Sequence, residues 1–577
     1  MKRALLLMAA IAVLLGVSSA VFAQATPAAE TKTTAIVALS SVGELKKDID
    51  YLGKTMGIEG LAAGLAITDE SIDPSKPLGL VTQVMGKDKF RQIAFVPVKD
   101  FQALMKMITA PLADMDECKL EVPDDAENGT WKIEVPLPTG VASVFARKQG
   151  GWAVFTNDSS AFAQLPADPA SLLGGLNTKY DFAARASLDN IPKARRQQAI
   201  KQLEMFAQVM ALQMGEDAAV ARAAISRMVK EITDTTDQLA DVLVGLTIDV
   251  EAGAIVLDLA ATAVEGTNMA DQFAQVTTSK TDFAGFDLPG AAVTGNLVSA
   301  LTDADVKEAS ENIKQARSTA LAELRNQGLS DDELELATDL LNDILDVVQK
   351  TIEAKKFDGG MVVMLDAGKA TIAGGAAITE GAKLEKVIKQ LAGIVAEEDK
   401  DLAKSLKLDA ETHEGVRFHV FSTPAPDPEL AKLIGKTLTV ALGIGDKSVY
   451  AGAGTDPVGL LKQVIDASKS RANEEIPPAR LSVALAPIVK MAAGVADAGP
   501  PKRMADALAK ALQESPGKDR LMITTNPIPK GSLIRVKLEE GVLKAIGAAV
   551  QVGGSSGEIP IPGFAPAPGG PPGVDPF

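Results

Sequence analysis

The sequence is poor in the side chains from which most reaction centres and metal sites are built. Cys118 is the single cysteine, and His413 and His419 are the only histidines among 577 residues. One cysteine excludes an intramolecular disulfide and a thiolate zinc cage, and two histidines leave few ways to build a histidine-dependent triad or a histidine-rich metal site. We expect Cys118 to be a small core residue rather than a thiol that bridges two chains.

Aromatic side chains and positive charge are also scarce. Only 4% of the residues are aromatic, and 58 Lys and Arg against 75 Asp and Glu give a net charge of −17. An acidic protein repels phosphate backbones and anionic lipid surfaces. Binding of single-stranded nucleic acid further requires aromatic platforms beside basic groups. We therefore expect no nucleic-acid partner.

Long apolar runs are absent except at the N terminus. Lys2-Arg3 precedes the apolar stretch ALLLMAAIAVLLGV, residues 4–17, and small residues then lead to Ala23 and Ala25. This pattern is typical of a secretory signal peptide and is shorter than the ~18 apolar residues of a membrane span. We expect cleavage after Ala23 or Ala25, a periplasmic or secreted protein, and no transmembrane anchor. No cysteine follows the leader, so lipoprotein anchoring is not expected.

The C terminus is rich in residues that break secondary structure. Residues 553–577 contain seven glycines and seven prolines. Such a segment can neither form ladder hydrogen bonds nor bury an apolar face. The composition predicts a disordered tail over 551–577.

Between these ends, the chain repeats one pattern, in which two alternating strands flank a turn and an amphipathic helix follows. The spacing from Ala-Gly to Glu-Gly is the same in two copies, 252–253 to 265–266 and 367–368 to 380–381. Short turns join antiparallel neighbours, so the pattern predicts antiparallel sheets covered by helices. The copies span 244–276, 361–391 and 521–550, with looser versions at 79–108, 141–165 and 437–465.

The resulting prediction is an α+β fold of repeated β-hairpin–helix units, duplicated, with long helical inserts. The inserts are expected at 191–214, at 217–243, and after the capping box formed by Ser330 and Glu333. We predict a signal peptide over 1–25, an N-terminal α+β domain over 26–285, a C-terminal α+β domain over 286–550, and the tail.

Five short stretches resemble a known group of proteins. FVPVKDFQALMK, GGWAVFTND, NIPKARRQ, GVRFHVFSTP and LEEGVLKAIG begin at residues 95, 150, 190, 415 and 538. They resemble the uncharacterised exported proteins that are abundant in planctomycete-type bacteria. The resemblance implies export and an α+β fold, and no activity is attached to it.

Two motifs with catalytic or metal-binding counterparts lack the context that they need. Residues 553–557 match the pattern G-x-S-x-G, but a Pro-rich segment follows and both histidines precede it. Residues 124–129 resemble a calcium loop, but Ala126 and Val135 occupy positions that require oxygen ligands. We interpret the latter as a turn before a strand.

Three further candidates have simpler interpretations. Arg417 and His419 would share one face of a strand, and His413-Glu414 could join them around a metal, but two imidazoles alone make a poor site. Residues 452–457 could present amides to an anion, although Asp456 and Pro457 fit a helix cap better. Acidic and basic pairs are expected to face solvent, namely Asp331-Asp332, Glu397-Glu398, Glu474-Glu475, Arg195-Arg196 and Lys355-Lys356.

The sequence thus identifies no catalytic, cofactor-binding or metal-ligating residue and implies no cofactor. It favours a non-enzymatic binding or scaffold module of the bacterial cell envelope, because hairpin edges and curved sheets form good partner surfaces. One alternative is a carrier of a lipid or other apolar ligand, enclosed between helices and sheet. The other is a hydrolase that uses buried carboxylates. The expected partner is an envelope protein or an apolar ligand.

Overall fold

A computed structural model describes most of the chain. It covers residues 31–58, 71–86, 89–112, 118–137, 140–198, 235–326, 328–366, 368–398, 400–472, 474–496 and 498–556. The predicted signal peptide, 1–25, and residues 557–577 of the predicted tail lie outside the described residues. Helices and antiparallel sheet together confirm the α+β class.

Twenty strands form one antiparallel sheet. In chain order they are β1 (Thr31–Leu39), β2 (Leu78–Met85), β3 (Lys89–Pro97), β4 (Lys119–Glu121), β5 (Trp131–Leu137), β6 (Gly140–Gln149), β7 (Trp152–Thr156), β8 (Phe182–Ser187), β9 (Leu239–Asp249), β10 (Ala254–Ala263), β12 (Val293–Ala300), β13 (Lys356–Asp366), β14 (Lys369–Ala377), β15 (Leu406–His413), β16 (Val416–Pro424), β17 (Thr437–Ile444), β18 (Ser448–Gly454), β20 (Ala479–Ala484), β21 (Arg520–Ile528) and β22 (Gly531–Glu539). Two short strands, β11 (Ser279–Lys280) and β19 (Glu475–Ile476), pair separately.

The order of the strands across the sheet differs from their order in the chain. From one edge to the other it is β4-β5-β6-β7-β3-β2-β1-β8-β9-β10-β22-β21-β20-β12-β13-β14-β18-β17-β16-β15. The first ten strands of this order come from the N-terminal part of the chain and the last ten from the C-terminal part. Strands β10 and β22 join the two runs from Ala254–Glu539 to Thr262–Gly531.

The helices follow the strands that they cover. They are α1 (Val42–Met56), α2 (Phe101–Thr109), α3 (Leu176–Lys179), α4 (Asn268–Gln275), α5 (Asp303–Arg325), α6 (Asp331–Glu353), α7 (Gly381–Glu398), α8 (Lys400–Ser405), α9 (Pro428–Ile434), α10 (Pro457–Ser470), α11 (Leu485–Val495), α12 (Pro500–Gln513) and α13 (Glu540–Ser556). Side-chain caps define where several helices begin. Ser41, Asp100 and Asp456 each accept a hydrogen bond from an amide in the first turn of the helix that follows. Among the described residues, none of the helices has the length and apolar content that a bilayer-spanning helix needs.

The apolar cores lie on both faces of the sheet. Helix α2 packs Phe101, Leu104 and Met105 against Leu80 and Ala94 of the sheet. The opposite face of β3 contributes Ile93 and Phe95 to a second cluster with Phe162 and Leu173, which follow β7. A third cluster places Phe283, Phe286 and Phe418 against Leu461 of α10. Apolar clusters therefore lie on both sides of the sheet at β3, and helix α10 covers one side near β16.

Strand pairing crosses the predicted domain boundary at 285/286. Strand β10, in the predicted N-terminal domain, pairs along nine residues with β22 of the predicted C-terminal domain. The antiparallel pairs predicted around the turns at 251–253 and 529–531 are present as β9–β10 and β21–β22. The division into two domains stays a prediction.

Two predicted boundaries differ from the structure. The helix expected over 217–243 is wrong at its end, because residues 239–243 belong to β9, which pairs with β8 and β10 on its two sides. Residues 199–234, which hold most of both expected inserts, lie outside the described residues. The predicted tail begins too early, since α13 continues through Ser556.

The capping box predicted at Ser330 is present. The Ser330 hydroxyl accepts a hydrogen bond from the Glu333 amide at 3.4 Å, and the Glu333 carboxylate accepts from the Ser330 amide at 2.8 Å. We expect Ser330→Ala to destabilise the first turn of α6 by about 1 kcal/mol. Hydrogen exchange of the Glu333 amide should then accelerate roughly five-fold. A Ser470→Ala variant at the end of α10 is the control, and unchanged exchange at Glu333 in S330A would contradict the role of the cap.

Candidate functional site

The ten central strands of the sheet, β1-β8-β9-β10-β22-β21-β20-β12-β13-β14, share one continuous face. Directly opposed residues of antiparallel strands point to the same side, so the register defines the face. One row crosses all ten strands, over roughly 43 Å at the usual strand spacing. It runs Val37, Ala184, Val244, Leu259, Ile534, Thr525, Ala479, Leu297, Gly359, Ala376.

This face, called the apolar face below, is chemically uniform. From Ala35 on β1 to Ala376 on β14, its polar side chains are those of Ser299, Thr525 and Ser532, and none of its residues is charged. The opposite side of the same strands carries charged groups such as Arg185, Asp241, Asp258, Arg480 and Arg535. The central sheet is therefore amphipathic.

Large side chains of the apolar face remain exposed to solvent. Six of them have exposed fractions between 38% and 47%, namely Leu259, Leu297, Phe357, Met361, Ile372 and Ile534. Their neighbours Leu246, Leu257, Leu481, Ile523 and Val536 are only half-buried. A contiguous exposed apolar surface is uncommon on a monomeric soluble protein and marks an interaction site.

Helices cover the apolar face near its two ends. Helix α2 packs on Leu80 and Ala94, beside β1. Helix α7 packs over β16 and β17 at the other end, where Glu385 contacts Arg417. The apolar face between them can accept a hydrophobic ligand or partner, and its only polar side chains among the described residues are the three hydroxyls of Ser299, Thr525 and Ser532.

A cluster of four charged side chains, of which Glu385 is the buried one, lies where α7 meets the sheet. The Glu385 carboxylate accepts hydrogen bonds from Nε of Arg417 at 2.8 Å and from a terminal nitrogen of the same guanidinium, and it pairs with Lys389 at 3.0 Å. Lys389 also pairs with Asp409 at 2.8 Å. Burial alone would raise the pKa of Glu385, but the bonds from Arg417 and Lys389 outweigh it and lower the pKa. The cluster therefore carries two carboxylates and two cations that neutralise each other.

His419 completes this cluster, and its hydrogen bonds decide whether a metal ion fits. Ligand atoms of Glu385, Asp409 and His419 lie within 4.8 Å of one another. The Nδ1 atom of His419 accepts a hydrogen bond from the Asp409 amide at 3.2 Å, so the neutral ring carries its hydrogen on Nε2, which faces Glu385 Oε1 at 3.7 Å. Burial lowers the pKa of His419 and keeps the ring neutral.

A metal ion therefore fits this arrangement poorly. The Nε2 lone pair is not available in this tautomer, and the Lys389 ammonium already bridges the two carboxylates. We interpret the cluster as a charge network that fastens α7 to β16. Arg417 and His419 do share one face of β16, as predicted from their spacing.

His413 and Glu414 do not join them. His413 of β15 lies opposite Val416, so it points to the other face of the sheet from Arg417 and His419. Its Nε2 is 2.7 Å from Asp466 of α10. Glu414 pairs with Lys469 of the same helix. The four residues considered as a metal group are thus split between the two faces of the sheet, and the doubt about that group stands.

The other motifs have structural roles. In the segment 124–129, Asp125 Oδ1 accepts hydrogen bonds from the amides of Glu127 and Asn128, which makes the predicted turn before β5. Asp456 caps α10 through the Gly459 amide at 3.0 Å, with Pro457 in the first turn, as expected. Residues 553–556 lie in α13 and not in a strand–turn–helix elbow.

Six of the ten paired charges face solvent; Arg195, Arg196 and Glu474 are half-buried, and the side chain of Glu398 lies outside the described residues. Asp331, Asp332, Glu397, Glu475, Lys355 and Lys356 are exposed, as predicted. The Arg196 side chain is only 14% exposed, so its expected position in solvent is wrong. Arg196 is held by the Thr236 carbonyl at 3.1 Å and by Asp237 at 3.5 Å. Cys118 is half-buried and packs against the apolar cluster of α2.

Comparisons of this chain with protein families, curated proteins and solved structures found no match. The function of the candidate site is therefore inferred from its geometry alone. Its residues were visible in the sequence as alternating apolar positions in 244–250 and 255–259. Alternation predicts that one side of a strand is apolar, but it does not show whether another layer covers that side.

Proposed function

We propose that the protein is an exported, non-enzymatic binding protein that carries an apolar ligand on the apolar face. The observation that carries the proposal is the row of large side chains, including Leu259, Ile534 and Leu297, exposed on one uncharged face of the central strands. Burial of such side chains by a ligand would be favourable by about 25 cal/mol per Å² of apolar area.

The composition of the apolar face favours a hydrocarbon over a protein partner. Protein interfaces typically carry one hydrogen bond per 100–200 Å², with Arg, Tyr and Trp enriched. The apolar face offers three hydroxyls and no charged, Tyr or Trp side chain between Ala35 and Ala376. A chain of methylene groups needs no polar contacts, so an acyl chain matches this surface.

We infer that the fold arose by duplication, and the order of the strands supports this inference. Read from its own edge towards β10 or β22, each run has the same order: β4-β5-β6-β7-β3-β2-β1-β8-β9-β10 and β15-β16-β17-β18-β14-β13-β12-β20-β21-β22. Strands β10 and β22 hold equivalent places, and their antiparallel pairing is what a two-fold axis between equivalent halves requires. The apolar face would then be shared by both halves.

Contacts between the helices agree with this symmetry. Helix α13, after β22, reaches α1 of the other run, where Gln551 donates a hydrogen bond to the Gly57 carbonyl at 2.9 Å. Helix α4, after β10, reaches α5 in the same way through Gln272 and Asp305 at 3.4 Å.

The proposal also includes export of the protein to the cell envelope. The predicted leader and the resemblance to exported proteins of planctomycete-type bacteria support this part of the proposal.

The proposal is tested with the mature protein and a neutral ligand. Oleyl alcohol should displace a neutral fluorescent apolar probe from the wild type. We expect Leu259→Glu to weaken the binding of oleyl alcohol at least ten-fold, because the new carboxylate must be desolvated beneath the hydrocarbon.

Leu336→Glu is the matched control. Leu336 lies on helix α6 and not on a strand of the apolar face, and its exposed fraction of 39% equals that of Leu259 within one percentage point. Binding by this variant should change less than two-fold. Equal affinities in wild type, L259E and L336E, or no binding to the wild type, would overturn the proposal.

A further inference from the structure

A cavity of about 430 Å³ lies at the edge of the apolar face, at the start of β1. Its lining includes three basic residues, Lys32, Lys193 and Arg196, together with the apolar Val84 and Ile191 and the acidic Asp189. Residues 190–197 are one of the stretches that resemble exported proteins, and the proposed function does not use them.

The fold holds this cavity on the same side of the sheet as the apolar face. Lys32 lies opposite Val84 on β2, four pairs along the strands from Val37 and Leu80. A register shift between Thr33 and Ala35 keeps these two pairs on the same face. The segment that follows β8 is fastened there by Asn190, whose Nδ2 donates to the Thr33 carbonyl at 2.8 Å. A ligand on the apolar face can therefore reach the cavity without crossing the sheet.

The charges around the cavity favour an anion. Lys193 pairs with Asp237 at 3.0 Å, and Arg196 pairs with the same carboxylate at 3.5 Å. Among the described residues that line the cavity, Lys32, Lys193 and Arg196 are basic and Asp189 is acidic. This basic lining contrasts with the net charge of −17 over the whole chain.

Arg196 is placed to recognise the anion. Its side chain is 86% buried, and its Nε has no hydrogen-bond partner among the described residues. A guanidinium held by a carbonyl and a carboxylate keeps a fixed orientation, and its planar donors suit a carboxylate or phosphate group.

We propose that this cavity, the headgroup pocket, binds the anionic headgroup of the ligand whose hydrocarbon chain lies on the apolar face. This inference rests on the proposed function and defines the ligand class as an acyl chain with a carboxylate or phosphate at one end. The apolar face supplies the hydrophobic contacts, and Lys32, Lys193 and Arg196 supply the preference for a negative charge.

Two ligands that differ only at the headgroup test the inference. Oleate and oleyl alcohol are titrated into the mature protein by displacement of the neutral probe, at fixed ionic strength. We expect the wild type to bind oleate at least ten-fold more tightly than the alcohol. Arg196→Met and Lys193→Met should each reduce this ratio about five-fold or more while leaving the affinity for the alcohol unchanged.

Control variants distinguish a failure of the headgroup pocket from a failure of the proposed function. Arg195→Met changes the neighbouring arginine, which does not line the cavity, and should keep the wild-type ratio. Lys193 is 63% exposed, so its variant tests the inference even if R196M does not fold. Equal binding of oleate and alcohol by the wild type, or an unchanged ratio in K193M, would overturn the headgroup pocket and leave the proposed function standing.

Two further outcomes would also overturn the headgroup pocket. If neither ligand binds the wild type, both the proposed function and the headgroup pocket are wrong. Inorganic phosphate and acetate serve as free anions without a chain. If they bind in the cavity as tightly as oleate does, the pocket is a site for small anions, and its assignment to a headgroup is overturned.

Discussion

Arg535→Met should lower the free energy of unfolding by about 2–4 kcal/mol at neutral pH. Arg535 of β22 donates two hydrogen bonds of 2.8 Å to Asp258 of β10, and Tyr180 donates a third at 3.1 Å. The Asp258 side chain is 2% exposed, so loss of the guanidinium leaves a buried charge without its counter-ion. Breaking a fully buried pair costs about 3–5 kcal/mol, and the half-exposed Arg535 reduces this value.

The pH dependence of the stability loss in R535M shows whether the charge of Asp258 causes it. Burial alone would raise the pKa of Asp258, but the bonds from Arg535 outweigh it and lower the pKa below its ordinary value. The stabilisation is therefore present above the unfolded pKa, near 4, and is lost as the pH falls through the folded pKa. The stability deficit of R535M relative to the wild type should be largest at pH 7 and should shrink as the pH falls below about 4.

A double variant provides the control for this result. Asp258→Asn combined with R535M removes both charges and should recover much of the lost stability, because a neutral amide is less costly to bury than a carboxylate. An unfolding midpoint in R535M equal to that of the wild type would contradict the view that this pair stabilises the junction of β10 and β22.

Asp48→Asn should have the opposite effect and stabilise the protein at neutral pH. Burial, followed by the charges of Asp181 and Glu44, raises the pKa of Asp48 to about 6. One of its oxygens, Oδ2, is buried without a hydrogen-bond partner among the described residues. A shift of this size from the ordinary value corresponds to about 3 kcal/mol, so we expect a gain of about 1–3 kcal/mol.

The sign follows from proton linkage. The folded state holds the Asp48 proton up to a higher pH than the unfolded state does, so the wild type loses stability as the pH rises from about 4 to about 6. The gain in D48N should be close to zero at pH 4 and level off above pH 6. Asp50→Asn, two residues along α1, is the control, and a gain in D48N that does not vary with pH would contradict this account.

Local signals in the sequence predicted the elements and the α+β class well. The turn at 251–253 sits between alternating apolar residues, and both features depend on neighbours in the chain. Likewise, Ser330 and Asp456 are helix caps that short-range hydrogen bonds define. These parts of the fold could be read without knowing what packs against them.

Long-range pairing could not be read in this way. Nothing local in 254–263 indicates that this strand pairs with 531–539, and that pairing makes the two runs one sheet. The exposure of Leu259 and Ile534 depends on which helices leave this side of the sheet uncovered. The apolar face was therefore predictable as an alternating pattern but not as a binding surface.

The contact between the charged residues Glu385 and Arg417 likewise could not be predicted from the local sequence. Helix α2 buries Met105 beside Trp131 and Ile133 of β5 in an apolar cluster. Helix α7 holds the corresponding place over β16 in the strand order, yet there Glu385 meets Arg417. Each of these charged residues has a sequence context typical of a solvated surface, and only the packing of helix on sheet brings them together.

Native mass spectrometry of the mature protein, gently extracted from its own cells, can detect a ligand bound to the apolar face. We expect a mass excess that matches a molecule with an acyl chain and disappears after delipidation. We also expect this excess to be lost in L259E and kept in L336E. Wild-type protein that carries no hydrocarbon ligand, and takes up none when oleate is added, would contradict the claim that the apolar face is a binding surface.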